Sequence, residues 1–346
     1  MQLFLHVGAA KTGTSTLQVA VVAHRTQLLA DGILVPDPIF RSTNHNLLVC
    51  SVLEDAAWPR QFRGKALHAQ AAKLWESIRT EVRNSDAHTA ILSAEYISIL
   101  PPDATRRLSD ELRLIFDEIT PVVYVREPAA YYLSAVQQGI RAKSRCTRPS
   151  QFNSPMRNIV TKVESVFGSA LVRKFDRATL KAECIVRDFF ASIGCDDALT
   201  RDWVVADTNQ SLSAEGMCIM QRFRAANFPD KDNAKSPEGS LVMAALAAIP
   251  GQTKARLRPG IAEGIRSRNA EEIDWFRDRY AIDFMVTHCG MTALPPEFYS
   301  SDIEQIVEVT TDQVRMITDQ VVGYLAAAGL RVRKAPRRSS GSNPPR

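Results

Sequence analysis

The sequence has few of the features that mark secreted, membrane-spanning or metal-binding chains. Its six cysteines form no C-x-x-C pair and have no His-rich partner set, so we expect reduced thiols and no metal site. The longest apolar runs, such as residues 241–249, are too short to cross a bilayer. No signal-like segment opens the chain, because Gly8 and Lys11 interrupt its first apolar run. We therefore expect a cytoplasmic protein without a membrane span.

The composition is that of an ordinary globular protein. The chain has 346 residues, of which 45% are hydrophobic and 23% are charged, and this supports a sizeable core. The formal net charge of +5 is modest. It agrees with an anionic nucleotide and an acidic acceptor as ligands, but it gives no reason to expect a nucleic-acid partner.

The first residues combine a strand pattern, a tight loop and a helix start. Residues 3–7 form an apolar run, Gly8 and Gly13 lie on either side of Lys11, and a helical pattern begins at Leu17. The loop also carries four hydroxyl groups, on Thr12, Thr14, Ser15 and Thr16. A strand, a loop and a helix N-terminus in this order gather backbone N–H groups around a phosphate.

The order of residues in this loop differs from that of nucleoside triphosphatases. Their loop reads G-x-x-x-x-G-K-[ST], with the lysine after the last glycine, whereas here Lys11 precedes Gly13. The alternative interpretation is a plain helix start, which one hydroxyl is enough to cap. Four hydroxyls and a lysine favour a phosphate site in which Lys11 is directed at the group that leaves or moves.

A second segment places an arginine at the end of a strand. Residues 121–125 form a continuous apolar run typical of a buried strand, and Arg126 follows it. Pro128 suits the first turn of a helix, and Ser134 lies about two turns along it. A guanidinium and a hydroxyl in reach of one another suit a phosphate monoester. An arginine merely salt-bridged at a strand end is the alternative.

Together the two segments resemble the sulfotransferase family that uses 3′-phosphoadenosine-5′-phosphosulfate (PAPS), and most of all its bacterial members with a KTGT loop followed by LQ. In that family the lysine-containing loop binds the 5′-phosphosulfate, which implies this role for residues 11–16. A later strand, R-x-P and helix segment binds the 3′-phosphate, which implies this role for Arg126 and Ser134. The resemblance continues more weakly through residues 91–95, 172–180, 187–194 and 209–213.

The resemblance also implies a catalytic His or Glu that acts as the general base. Glu95 follows the strand between the two phosphate motifs, and His45 lies in the loop after the first helix. Imidazole has the more suitable pKa near neutrality, whereas a glutamate can serve if burial raises its pKa. We favour Glu95 slightly and keep His45 as its rival. His6, inside the first strand, is expected to be a core or hydrogen-bonded histidine.

Strands and helices alternate along the first 200 residues. Strand patterns cover residues 32–36, 88–93 and 170–175, and helical patterns cover residues 17–31, 65–84, 103–118 and 178–193. This alternation predicts an α/β fold with three α/β/α layers and a central parallel sheet. The resemblance implies the P-loop NTPase-like sulfotransferase version of that fold.

The chain shows no repeat and no linker that separates domains. We expect one sulfotransferase-like domain over residues 1–334, with a nucleotide-binding core over 1–215 and a mostly helical part over 216–334. The Pro-, Ser- and Arg-rich residues 335–346 are expected to be a disordered tail. The Arg-rich segment 256–279 is interpreted as a solvated charged face or as a rim that meets an anionic acceptor.

The predicted function is transfer of a sulfuryl group from PAPS, as co-substrate, to a hydroxyl or amine of an acceptor. A carbohydrate is the expected acceptor, a small molecule or a glycan, and no metal is required. Two alternatives stay open: a P-loop kinase with an altered loop, and a non-catalytic sulfotransferase-like binding domain. The acceptor's identity and the oligomeric state are open as well.

Overall fold

The computed structural model describes residues 1–9, 11–59, 62–63, 65–204, 211–229, 231–232, 236–285 and 293–327. Their strands form one five-stranded parallel sheet with the order β2-β3-β1-β4-β5. The strands are β1 (Gln2–His6), β2 (Ile33–Leu34), β3 (Thr89–Ser93), β4 (Glu118–Val125) and β5 (Leu171–Lys174).

Thirteen α-helices are found in the described ranges, and short 3₁₀ turns join several of them. The first seven are α1 (Thr14–Ala23), α2 (Arg25–Ala30), α3 (His68–Arg83), α4 (Pro102–Arg113), α5 (Pro128–Gly139), α6 (Met156–Phe167) and α7 (Ile185–Ser192). The other six are α8 (Ala214–Asn227), α9 (Pro237–Ala248), α10 (Pro259–Arg268), α11 (Ala270–Tyr280), α12 (Ile303–Ile306) and α13 (Thr311–Ala327). None of the described helices is both long and apolar enough to cross a membrane.

The sheet is buried on both faces, which explains the unbroken apolar runs of its strands. Side chains of β1 alternate between the faces: Leu3 and Leu5 belong to one hydrophobic cluster, and Phe4 belongs to another. The first cluster includes residues of α3, α4 and α6, and the second includes residues of α1 and α7. The predicted α/β architecture, with helices on both faces of a parallel sheet, is confirmed.

The chain order of the strands creates a switch point at the carboxyl end of β1. This strand pairs with β3 on one side and with β4 on the other, with His6 opposite both Ser93 and Val122. Segments that follow β1, β3 and β4 therefore meet at one edge of the sheet. Open α/β sheets bind their ligands at such a point.

Several predicted elements differ in extent from those observed. The helix expected over 17–31 breaks at His24, whose ring stacks on Trp203 with 3.9 Å between the centroids. Within the mostly helical part expected over 216–334, α10 and α11 are separated at Asn269, whose side chain accepts a hydrogen bond from the Ser154 N–H at 2.8 Å. Helix α6 was not expected at all, although its apolar residues have helical spacing.

The chain divides into two compact units, and the single domain expected over residues 1–334 stays a prediction. The first unit contains the sheet and comprises residues 1–135, 149–211 and 262–294. The second comprises residues 136–148, 212–261 and 295–346, and its helices α8, α9 and α13 pack together. The expected tail at 335–346 lies outside the described residues, as does Asn209 at the start of the segment 209–213.

Candidate functional site

The loop after β1 approaches two other elements so closely that only glycine fits at two positions. A Cβ atom on Gly8 would lie 2.3 Å from the Thr14 methyl group and 3.2 Å from Cβ of Glu95. Gly13 has a φ of +77°, and a Cβ atom there would lie 2.7 Å from the ring of Phe175. The two glycines of the predicted phosphate site are therefore required by close contact and by backbone conformation.

The loop ends at the start of α1 without a side chain that caps the helix. Gly13 is the N-cap residue, and the first turn contains no acidic side chain. The first turn of an α-helix has N–H groups without intrahelical acceptors and carries the positive end of the helix dipole. The N-terminus at Thr14, Ser15 and Thr16 therefore has the electrostatic character that favours an anion.

Two loop residues before Gly13 hold the backbone in an unusual shape. Lys11 is half-buried and has a φ of 70°, which costs an L-residue about 1 kcal/mol. Thr12 is fully buried, and its hydroxyl donates to the Ala9 carbonyl oxygen at 2.7 Å. The Thr12 hydroxyl thus bonds within the loop and helps to fix its backbone.

Arg126 lies against this loop from the end of β4. Its Nη1 donates to the Lys11 carbonyl oxygen at 2.8 Å, and its guanidinium carbon lies 5.5 Å from the centre of the Phe175 ring. Burial lowers the pKa of Arg126, and the nearby Glu127 opposes this effect. Ser134 is half-buried on the second turn of α5, and the described residues show no hydrogen bond between it and Arg126.

Glu95 reaches the same loop from the end of β3. It opens a 3₁₀ turn over Glu95–Ile99 and is half-buried. Its Oε2 accepts a hydrogen bond from the Thr14 hydroxyl at 3.0 Å, so the carboxylate lies at the first residue of α1. Burial and the charge of Glu95 both raise the pKa of Tyr131 on α5, which places this phenol within electrostatic reach of the carboxylate.

A half-buried lysine holds the turn that carries Glu95. Lys162 on α6 donates from Nζ to the carbonyl oxygens of Ile97 at 3.0 Å, Ser98 at 2.8 Å and Leu100 at 2.8 Å. Burial lowers the pKa of Lys162 to about 8. An ammonium group has three N–H donors, and each has a carbonyl partner here. Lys162 therefore fixes the end of the turn that begins at Glu95.

His45 is in a different position from Glu95. Its side chain is 2% exposed, and burial lowers its pKa to about 4. Nε2 lies 3.0 Å from the Pro36 carbonyl oxygen, and Nδ1 accepts from the Ser93 N–H at 3.1 Å. The carbonyl needs a donor, so the proton is on Nε2 and the Nδ1 lone pair is already occupied. This geometry favours Glu95 over His45 as the base.

Ser93 is the centre of a buried polar group beneath the site. Its hydroxyl lies 2.8 Å from Nδ1 of His6 and accepts from Nε2 of Gln18 at 3.1 Å. We call His6, Gln18, His45 and Ser93 the Ser93 cluster. Burial lowers the pKa of His6 to about 4, and its ring packs edge-on near aromatic rings. The interpretation of His6 as a core, hydrogen-bonded histidine is confirmed.

The contacts bring four of the predicted site residues together: Lys11, Thr14, Glu95 and Arg126. They belong to the segments after β1, β3 and β4, which meet at one edge of the sheet. Sequence reasoning missed Phe175, Tyr131 and Lys162. Their contacts join segments far apart in the chain, and only the final phenylalanine of a predicted strand gave any local signal.

The described arginines of α10 and α11 are largely engaged in ion pairs. Arg266 pairs with Glu127 at 3.1 Å, and Arg277 pairs with Asp274 at 2.7 Å. Glu127 also accepts hydrogen bonds from the first N–H groups of α5. These contacts favour the interpretation of the Arg-rich segment 256–279 as a charged face with its own carboxylate partners.

Comparisons with known proteins add little to this geometry. No family model matches the chain, and no curated protein matches its sequence significantly. The chain is similar to the crystal structure of a sulfotransferase from Alicyclobacillus acidocaldarius, with 16% identity and a TM-score of 0.33 over 60% of this chain and 85% of that one. Similarity at this level assigns neither a family nor a substrate. Within the described ranges, no group of three or more His, Cys, Asp or Glu side chains is arranged to hold a metal ion.

Proposed function

We propose that the protein is a sulfotransferase that moves the sulfuryl group of PAPS to a hydroxyl or amine of an acceptor, with a carbohydrate as the expected class. The observation that carries the proposal is the 3.0 Å hydrogen bond between the Thr14 hydroxyl and the Glu95 carboxylate. It joins a base to the first residue of the helix that would bind the phosphosulfate.

Different residues of the site would bind the two ends of the nucleotide. The start of α1 would hold the 5′-phosphosulfate by its N–H groups, with the hydroxyls of Ser15 and Thr16 as further donors. Arg126 and Ser134 would bind the 3′-phosphate, for which a guanidinium fork is suited. The contact of Arg126 with the Lys11 carbonyl supports binding of both ends of one nucleotide in this region.

The reaction needs a base and neutralisation of charge on the leaving group. Glu95 would accept the proton of the acceptor hydroxyl while the acceptor oxygen bonds to sulfur. The bond from sulfur to the bridging oxygen breaks, and its electron pair stays on the 5′-phosphate. Lys11 would neutralise that charge. The products are a sulfate ester, adenosine 3′,5′-bisphosphate and a protonated Glu95.

Thermal unfolding with added nucleotides tests the proposal. Adenosine 3′,5′-bisphosphate should raise the unfolding temperature more than ATP with Mg²⁺, because a ligand that binds only the folded state stabilises it. Arg126→Ala should abolish most of that rise, whereas Arg113→Ala, an exposed arginine on α4, should leave it unchanged. Stabilisation by ATP and Mg²⁺ alone would contradict the proposal. Sulfated product from labelled PAPS in a screen of sugars, lipids and phenols would identify the acceptor.

A further inference from the structure

The positive charge of this chain is concentrated in one stretch. Residues 128–163 contain six Lys or Arg and not a single Asp or Glu. The rest of the chain has one acidic residue more than it has basic ones, so this stretch accounts for the formal net charge of +5. A local excess of one sign attracts ligands of the other sign, whatever the net charge of the protein.

Four of the six cations lie in a single loop at the end of α5. We call residues 141–148 the basic loop. Arg141, Arg145 and Arg148 are exposed, and Lys143 is half-buried. The loop belongs to the second compact unit, together with the ends of the helices that hold it. Three of its four cations are thus exposed within eight consecutive residues.

Buried groups hold the backbone of the basic loop in place. The Ser144 side chain is buried, and the Ser144 N–H donates to Asp232 Oδ1 at 3.3 Å. The fully buried Arg224 donates from Nη2 to the Ala142 carbonyl oxygen at 2.9 Å. A loop held in this way loses less conformational freedom on binding than a disordered basic tail would.

We propose that the basic loop binds an acidic polysaccharide, a polymer with carboxylate or sulfate groups, as the acceptor of the reaction. The proposal rests on the proposed function, because such a polymer offers both hydroxyl groups for sulfuryl transfer and negative charges for the loop. The loop contains no aromatic side chain on which bases could stack, which disfavours single-stranded nucleic acid as its partner.

Binding to polygalacturonate by the full-length protein tests the basic loop. The triple variant Lys143→Gln, Arg145→Gln, Arg148→Gln should bind this polymer about tenfold more weakly at about 50 mM salt, and its affinity should depend less on salt. The matched control is Lys73→Gln, Arg106→Gln, Arg113→Gln, three exposed cations of α3 and α4. It removes the same charge and should change the affinity less than twofold.

Three results would overturn the proposal. Equal losses in both triple variants would mean that net charge alone attracts the polymer. Equal binding of neutral dextran would show that the negative charge of the polymer does not contribute to binding. Tighter binding of a short DNA duplex would make a nucleic acid the partner. Affinity for adenosine 3′,5′-bisphosphate, measured on the same samples, separates the two proposals. If the protein bound polygalacturonate through the loop but did not bind the bisphosphate, the proposed function would be contradicted. Binding of the acidic polymer by the basic loop would still be supported.

Discussion

Two polar groups lie within two residues of each other at the end of β3, and they differ in almost every physical respect. Glu95 is half-buried and accepts a hydrogen bond from the hydroxyl of Thr14, the first residue of α1. The Ser93 cluster is fully enclosed, and His45 within it bonds to backbone on both sides of its ring. The Glu95 carboxylate can accept further hydrogen bonds from a ligand, whereas the Ser93 cluster joins the loop after β2 to the sheet.

The comparison shows that the pKa of a free side chain is a poor guide to the basicity of the same side chain once it is buried. Imidazole is the better base in water near neutrality. His45 has lost that advantage here. Burial lowers the pKa of His45 to about 4, and the hydrogen bond from the Ser93 N–H occupies the lone pair of Nδ1. Glu95 is the weaker candidate by its chemistry alone and the stronger by its position.

The largest effect should come from Glu95→Gln. This change keeps an oxygen for the Thr14 hydroxyl but removes the base, so the turnover number should fall about a thousandfold. Affinity for adenosine 3′,5′-bisphosphate, measured by calorimetry, should stay within twofold. The control is Glu118→Gln, at an exposed carboxylate where β4 begins. Turnover within tenfold of wild type in the Glu95 variant would reject Glu95 as the base.

Acidic pH should lower the free energy of unfolding through the two histidines of the Ser93 cluster. His6 and His45 have pKa values of about 4 in the folded protein, below the usual 6.5, so the folded state binds fewer protons than the unfolded state. Stability should therefore be complete above pH 6.5 and fall as the pH drops towards 4, by about 3 kcal/mol for each histidine. Urea unfolding at intervals of pH measures this loss. A free energy of unfolding without dependence on pH in that window would contradict the assignment.

His45→Leu should lower the free energy of unfolding by about 2 kcal/mol, because it leaves the Ser93 N–H and the Pro36 carbonyl oxygen without their partner. Transfer by the folded fraction should stay within threefold of wild type, and the loss of stability in acid should become shallower. His68→Leu, at an exposed histidine, is the control for both measurements. A thousandfold loss of turnover with unchanged stability would restore His45 as the base.

The smallest effect should come from Lys162→Met. Without the three donors to the turn that begins at Glu95, the carboxylate is less well oriented and the turnover number should fall about tenfold. The KM for PAPS should stay the same, and Lys162→Arg should restore part of the rate. Lys73→Met, an exposed lysine on α3, is the control. A change confined to KM would show that Lys162 does not act through Glu95.

Much of the fold could be predicted because its signals are local. The apolar runs of β1 and β4, and the helical spacing in α3, depend on neighbouring residues, and these elements were found within a few positions. Helix α7, predicted over 178–193, begins only at Ile185. Breaks in helices were harder to predict. The break at Asn269 depends on a bond to the backbone of Ser154, 115 residues away, which no local pattern encodes.

The sequence by itself determined that Lys11, Glu95 and Arg126 follow parallel strands, since strand patterns and motif order are properties of contiguous residues. Parallel strands place such segments at one edge of the sheet for any chain with this order. Only the tertiary structure gives a reason to prefer Glu95 to His45 as the candidate base. That choice depends on burial and on bonds from Pro36, Ser93 and Thr14, groups that folding brings together from distant parts of the chain.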